Sequence, residues 1–252
     1  MFYYLVDPQL TCNLLLIAAA VIPAIFLMVK VYQSDRLEKE SRKLLWQLVK
    51  AGVFSSLIAI VEERILSYLL DEAVAQSSAA YDVLLYFVVV AVSEESSKYW
   101  MLKRHTWRSP EFNCMFDGVV YAVFVSLGFA LWENISYVLT YGYATAVVRA
   151  VTAIPGHACF GVFMGVFYAI AKKYEAYGRD SDSRLYRVFS VLVPVLLHGA
   201  YDFGLSESFS NLLGENYAFL SVSLAIFALV VLIWLFVFTA KARKNPVYTE
   251  PL

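Results

Sequence analysis

Apolar residues along this chain come in long blocks, separated by short polar connections that carry most of the charge. The blocks predict seven helical spans, at about 10–31, 44–61, 79–102, 117–139, 144–171, 187–205 and 217–240. Each approaches or exceeds the ~17–25 residues that cross a hydrocarbon layer. Lys50 interrupts the second span and fits there only if it reaches an interface. The fold expected is an all-α, polytopic transmembrane helix bundle. It forms one integral membrane domain over residues 1–252, with a motif-bearing core at 79–205.

The charge in the connections sets an orientation. Basic residues gather at Lys30, Arg36, Lys39, Arg42 and Lys43, at Lys103, Arg104 and Arg108, at Lys172, Lys173, Arg179, Arg184 and Arg187, and in the tail at Lys241, Arg243 and Lys244. The alternate connections hold only Arg64. By the positive-inside rule the N-terminus lies outside and the C-terminus in the cytoplasm.

Composition supports the membrane reading. Sixty percent of the 252 residues are hydrophobic and 16% charged, where a soluble domain carries roughly a quarter. A net charge of −1 gives no electrostatic footing for nucleic acid. Cys12, Cys114 and Cys159 have neither metal-ligand spacing nor the pattern of a disulfide framework. The start, MFYYLVDPQL, lacks a basic segment, so the first apolar block reads as a span and not as a cleaved signal.

Ionisable groups inside spans are costly and turn inward. Here they are Glu94, Glu95 and Lys98 in span 3, Glu133 in span 4, His157 in span 5, and His198 and Asp202 in span 6. Glu94 and Lys98 share a helix face, so the lysine offsets one carboxylate. Glu95 projects about 100 degrees away and is free to take a different role. A structural salt bridge between helices is the plainer reading, but it leaves one carboxylate over. Near Glu133, Gly128 allows close backbone approach and Asn134 adds an amide. Ala153, His157, Gly161 and Gly165 recur every four residues, a smooth face that holds the histidine against a neighbouring helix. Asp202, one turn from His198, can orient its imidazole. Glu62 and Glu63 read as interfacial acids at the outer end of span 2. Arg149 reads as a snorkelling side chain, Asp117 as a helix-start acid and His105 as surface.

Four motifs then appear in order: EESSK at 94–98, FALWE at 129–133 within FDGVVYAVFVSLGFALWENISYV, HACFGVFMG from 157, and HGAYD at 198–202. This set resembles the PrsW-like intramembrane proteases, related to the CAAX-processing and bacteriocin-protection membrane proteins. The resemblance covers about the central half of the chain. It implies a multi-pass peptidase of a bacterial plasma membrane, cutting a membrane-anchored protein such as an anti-sigma factor. Its functional polar residues map to Glu94, Glu95, Glu133, His157 and His198.

The chemistry these residues offer is hydrolysis by an activated water. A glutamate of the 94/95 pair takes the water's proton. His157 or His198 steadies the oxyanion or protonates the leaving amine, Asp202 orients His198, and Glu133 binds water or substrate backbone. Lys98 balances charge and Asn134 assists nearby. Two histidines and glutamates also make a zinc ligand set, drawn from Glu94, Glu95, Glu133, His157 and His198. Whether a metal assists stays open; with no HExxH signature, metal-free hydrolysis is slightly favoured over zinc. The alternative is a transporter or helix-binding scaffold that uses the same groups as a proton or partner site. The acidic outer connections, 62–78 with Asp71 and Glu72 and 206–216 with Glu207 and Glu215, suit a basic juxtamembrane substrate. At 1.5 Å per residue, Glu94 lies roughly 12 Å from the cytoplasmic end of its span, while Glu133 and His198 lie about 10 Å from outer ends. On these boundaries the depths do not coincide.

Overall fold

A computed structural model of the protein describes residues 8–35, 39–206, 208–209 and 211, and the regular structure of these residues is helical throughout. In order these are α1 (Pro8–Ser34), α2 (Arg42–Ala73), α3 (Ala79–Leu84), a π-helical segment (Leu85–Val90), α4 (Ala91–Thr106), α5 (Met115–Tyr141), α6 (Tyr143–Val151), α7 (Ala153–Ala176) and α8 (Asp180–Gly204). Helices Gln9–Ser34, Arg42–Ala73, Met115–Tyr141 and the stretch Tyr143–Ala176 are long and apolar enough to cross a membrane. The predicted span 217–240, Glu207, Glu215 and the basic tail lie outside the described residues.

Two boundaries differ from the sequence reading. Helix α2 runs on to Ala73, so residues 62–73 are helical and not an outer loop. The physical reason is plain: no Gly or Pro stands between Val53 and Ala73 to stop the helix. Span 5 is two helices that part at Thr152. Pro155 is the cause. It has no N–H to offer the carbonyl of Val151, and it is tolerated only in the first turn of α7. Gly142, at φ +84, ends α5, and its N–H still reaches the Val138 carbonyl at 2.8 Å.

Helix α5 is the central element, packed by α1, α2 and α7. Its start is fixed by Asp117, whose Oδ2 accepts the Cys114 and Asn113 backbone N–H groups at 2.6 and 3.0 Å, as expected of a helix-start acid. Glycines set its crossings. A Cβ on Gly128 would run into the Val49 carbonyl oxygen of α2, and one on Gly165 of α7 would lie 2.5 Å from Val119 Cα. The outer faces stay apolar: Leu15, Ile22, Phe26, Phe54, Val151 and Leu196 are exposed, as a lipid-facing surface requires.

Candidate active site

The predicted polar residues converge. Lys98 is fully buried, and its Nζ donates to Glu94 Oε2 at 2.9 Å, Glu95 Oε1 at 2.8 Å and His157 Nδ1 at 3.2 Å. An ammonium has three protons and no lone pair, so all three are used and His157 Nδ1 is the acceptor. The Phe129 ring lies over the same nitrogen, 4.0 Å from its centroid. His157 therefore carries its proton on Nε2 and donates it to Glu133 Oε2 at 2.7 Å.

The network continues at both ends. Glu133 Oε1 meets Arg149 Nη2 at 2.9 Å, and Arg149 Nε donates to Asn134 Oδ1 at 2.5 Å. Asn134 Nδ2 in turn donates to the Ala20 carbonyl of α1 at 3.2 Å. At the other end, His198 Nδ1 lies 2.9 Å from Glu95 Oε1, and His198 Nε2 lies 3.2 Å from Asp202 Oδ2. Both ring nitrogens face carboxylate oxygens, an arrangement that an imidazolium with two donors satisfies. The carboxylate left over by the single lysine is thus answered by His198.

Local structure explains the placement. The π-helical segment directly precedes α4, whose Glu94, Glu95 and Lys98 are buried. Helix α8 approaches that segment through Gly199, where a Cβ would meet the Phe87 ring at 2.5 Å, and this brings His198 to Glu95. On α7, Gly161 lies against Ala122, Val123 and Ser126, and Ser126 Oγ donates to the His157 carbonyl at 2.6 Å. Despite the depths expected from the predicted boundaries, these groups meet: with α3 to α4 running from 79 to 106, Glu94 lies near the middle of that stretch, and His157 stands one turn into α7.

A cavity of about 570 Å³ opens onto this cluster. Glu94, Glu133, His157, His198 and Asp202 line it, whereas Glu95 and Lys98 stand behind its wall. The 94/95 pair is therefore divided: Glu94 faces the space, and Glu95 holds His198. Two cavity residues went unrecognised in the sequence. Arg149 does not snorkel but grips Glu133. Glu63 is not an interfacial acid but a wall residue, within electrostatic reach of Glu94 and Glu133. Both signals were readable. Ser56, Ile60 and Glu63 fall on one helical face, and so do Thr145, Arg149 and Thr152.

The ligand atoms of Glu94, Glu95 and His157 lie within 4.8 Å of one another, a donor set of the right kind for a divalent metal. The point they share is where Lys98 Nζ sits. A second buried group, Asp35, Glu40 and Asp117, lies apart from the cavity, where Tyr121 Oη donates to Glu40 Oε2 at 2.6 Å.

Residues 40–238 match a family model described as "PrsW family intramembrane metalloprotease". Among curated proteins, the chain is similar to Protease PrsW of Oceanobacillus iheyensis, at 28% identity over 91% of this chain and 96% of the relative. It is 34% identical to Protease PrsW of Geobacillus kaustophilus, over 74% of this chain and 78% of the relative. With Protease PrsW of Clostridioides difficile it shares 33% identity, over 73% and 76%. No solved structure matches it.

Proposed function

The chain belongs to the PrsW family of intramembrane metalloproteases, and on that premise we propose that it hydrolyses a peptide bond in or near a transmembrane segment of a membrane-anchored protein, through a water activated by Glu94. The transporter or scaffold alternative gives way to the enzyme, since the family is one of proteases. One observation carries the mechanism: a continuous polar chain from α4, α5, α7 and α8 ends on one cavity wall.

Glu94 presents a carboxylate to the cavity while Lys98 holds its Oε2. It takes a proton from water, and the resulting hydroxide attacks the substrate carbonyl carbon. His198 is anchored at Nδ1 by Glu95, and its Nε2–H, which Asp202 accepts at the longer distance of 3.2 Å, turns to the developing oxyanion. The proton held by Glu94 passes to the leaving amine nitrogen as the C–N bond breaks. Glu133, clamped by Arg149 and His157, aligns the substrate backbone. The metal in the family's description does not fit this arrangement, because its ligand set is closed around an ammonium. No step here runs through a metal.

Seven spans with the N-terminus outside complete the proposal, in a single membrane domain whose chemistry lies within 79–205. Two of them, α3 to α4 and α8, carry charge that is buried and paired, which is how lipid accepts it. Lys103, Arg104, Arg108, Lys172 and Arg187 line one cleft and mark the cytoplasmic end. The active cavity, bordered by Thr145, Thr152 and Leu205, opens toward the other end. An anti-sigma-factor-like protein with one span is the substrate class proposed.

The test is cleavage of single-span membrane proteins by purified enzyme in lipid. We expect E94A, E95A, E133A, H157A and H198A to lose cleavage while staying folded, and E62A, outside the cavity, to keep it. Cleavage that survives all five substitutions would overturn the site.

A further inference from the structure

We infer that Lys98 is the resident cation of this centre: its ammonium stands where a divalent metal would bind, and a metal enters the Glu94, Glu95 and His157 set only when that ammonium is gone. The three ligand atoms lie within 4.8 Å of one another, and Nζ touches each of them, at 2.9, 2.8 and 3.2 Å. A Zn²⁺ at the same point would take oxygens at about 2.0–2.2 Å and the imidazole nitrogen at about 2.0–2.1 Å. That leaves no space for a cation in contact with all three donors.

Lys98 has no easy way out. Its side chain is fully buried, the Phe129 ring covers the ammonium at 4.0 Å, and three acceptors hold its protons. A metal ion would therefore have to approach a fixed positive charge in a site of low dielectric, or else displace that charge into apolar surroundings. Both routes oppose binding. The lysine also settles the imidazole: its hydrogen bond to His157 Nδ1 leaves the ring proton on Nε2, where it bonds Glu133.

The inference deepens the proposed function, because it concerns the same centre, but its test needs no substrate. Full-length wild type and Lys98→Met are purified in detergent, stripped with chelator and titrated with Co²⁺. Bound metal is read by visible ligand-field absorption and by metal content after desalting. Wild type is expected to retain no Co²⁺. K98M is expected to hold one per chain with affinity on the order of 100-fold higher or more, a modest figure for removing an ammonium at contact distance. Adding E94Q or H157N to K98M should abolish that binding. If K98M is not monodisperse, K98Q takes its place, and the wild-type titration still decides on its own. Wild type that retains stoichiometric Co²⁺, with loss of that metal in E94Q, would overturn the inference, as would a folded K98M or K98Q that binds no better than wild type. Failure of the protease reading would show instead as absent cleavage, with the cobalt result unchanged.

Discussion

Replacing Gly165 by Ala tests whether the crossing of α5 and α7 sets the active geometry. The new Cβ would lie 2.5 Å from Val119 Cα and 2.8 Å from the Gly118 carbonyl carbon, and it would also meet the Gly118 oxygen. All three are backbone atoms, so no rotamer change relieves the contact. Carbon atoms settle at about 3.5–4.0 Å, so the helices must separate by roughly 1 Å. Overpacking of this kind costs ~1–3 kcal/mol. Backbone against backbone belongs at the upper end, and the helix-propensity gain of Gly to Ala returns up to ~1 kcal/mol. The net loss is about 2 kcal/mol, or a melting temperature lower by roughly 4–8 °C for a chain of this size. If α7 moves as a unit, the 2.7 Å bond between His157 and Glu133 stretches past the ~3.2 Å hydrogen-bond range. Cleavage then falls by as much as about 100-fold. Gly156→Ala is the control: it lies on the same helix and its nearest neighbour is Phe160 Cζ at an ordinary 3.7 Å. It should melt at or above wild type and keep its activity. Scanning fluorimetry on detergent-purified proteins reads the first effect and initial cleavage rates the second. A G165A that melts as high as G156A would refute the close-crossing argument.

Three further outcomes are expected. Arg149→Gln removes the ion-pair partner of Glu133 Oε1, and cleavage rates should fall by about 10- to 100-fold, the equivalent of about 1.4–2.7 kcal/mol. R149K should lie between, since lysine keeps the charge and loses the fork that spans Glu133 and Asn134. Glu63→Gln should narrow the rate difference between paired substrates with and without Lys or Arg beside the scissile bond; an unchanged ratio would remove Glu63 from substrate selection. Burial, with Asp117 and Glu111 nearby and the Tyr121 hydrogen bond opposing, pushes the Glu40 carboxyl up from its ordinary 4.5 to about 9. Between those values the unfolded chain has released a proton that the folded one keeps, so stability falls as pH rises through the window. E40Q should flatten that slope in melting curves taken from about pH 5 to about pH 9.

The helical class and the inward polar set were legible in the sequence, because lipid accepts charge inside an apolar block only where it is turned inward and paired. The spacing of Gly161 and Gly165 announced the α7 crossing, and Gly128 announced the close approach of α2. What failed was where helices stop. Hydropathy ends α2 at Glu62, since it counts carboxylates as a boundary even when the helix continues and the next one, Glu63, lines a cavity. It joins α6 to α7, since Ala, Val and Ile dominate both sides of Thr152 and outweigh the break that Pro155 signals. The two missed residues, Glu63 and Arg149, lie beside these two errors. A wrong element boundary hides the face on which a polar side chain sits.

The charges of the cluster bear on which acid is reactive. Glu94, Glu95, Glu133 and Asp202 are four carboxylates, faced by the Lys98 ammonium, the Arg149 guanidinium and a His198 imidazolium. One negative charge stays uncompensated within this set, and in low dielectric that surplus is expensive unless it borders water. Glu95 is buried behind Lys98 and His198. Glu133 has both oxygens held, by Arg149 and His157. Asp202 is turned to His198 at the rim of the site. Glu94 shares its one bonded oxygen, Oε2, between Lys98 at 2.9 Å and His198 at 3.8 Å, and it faces the cavity. Among these four carboxylates the surplus charge therefore falls on Glu94, which lines the cavity with the fewest partners, the position a general base requires. E94Q would remove the surplus without emptying the site. It should abolish cleavage yet melt no lower than wild type, whereas E95Q, which keeps an acceptor oxygen but removes the buried negative charge that Lys98 and His198 share, should lose stability as well as activity. Equal melting temperatures for the two variants would mean that the two acids do not divide the work between reaction and support.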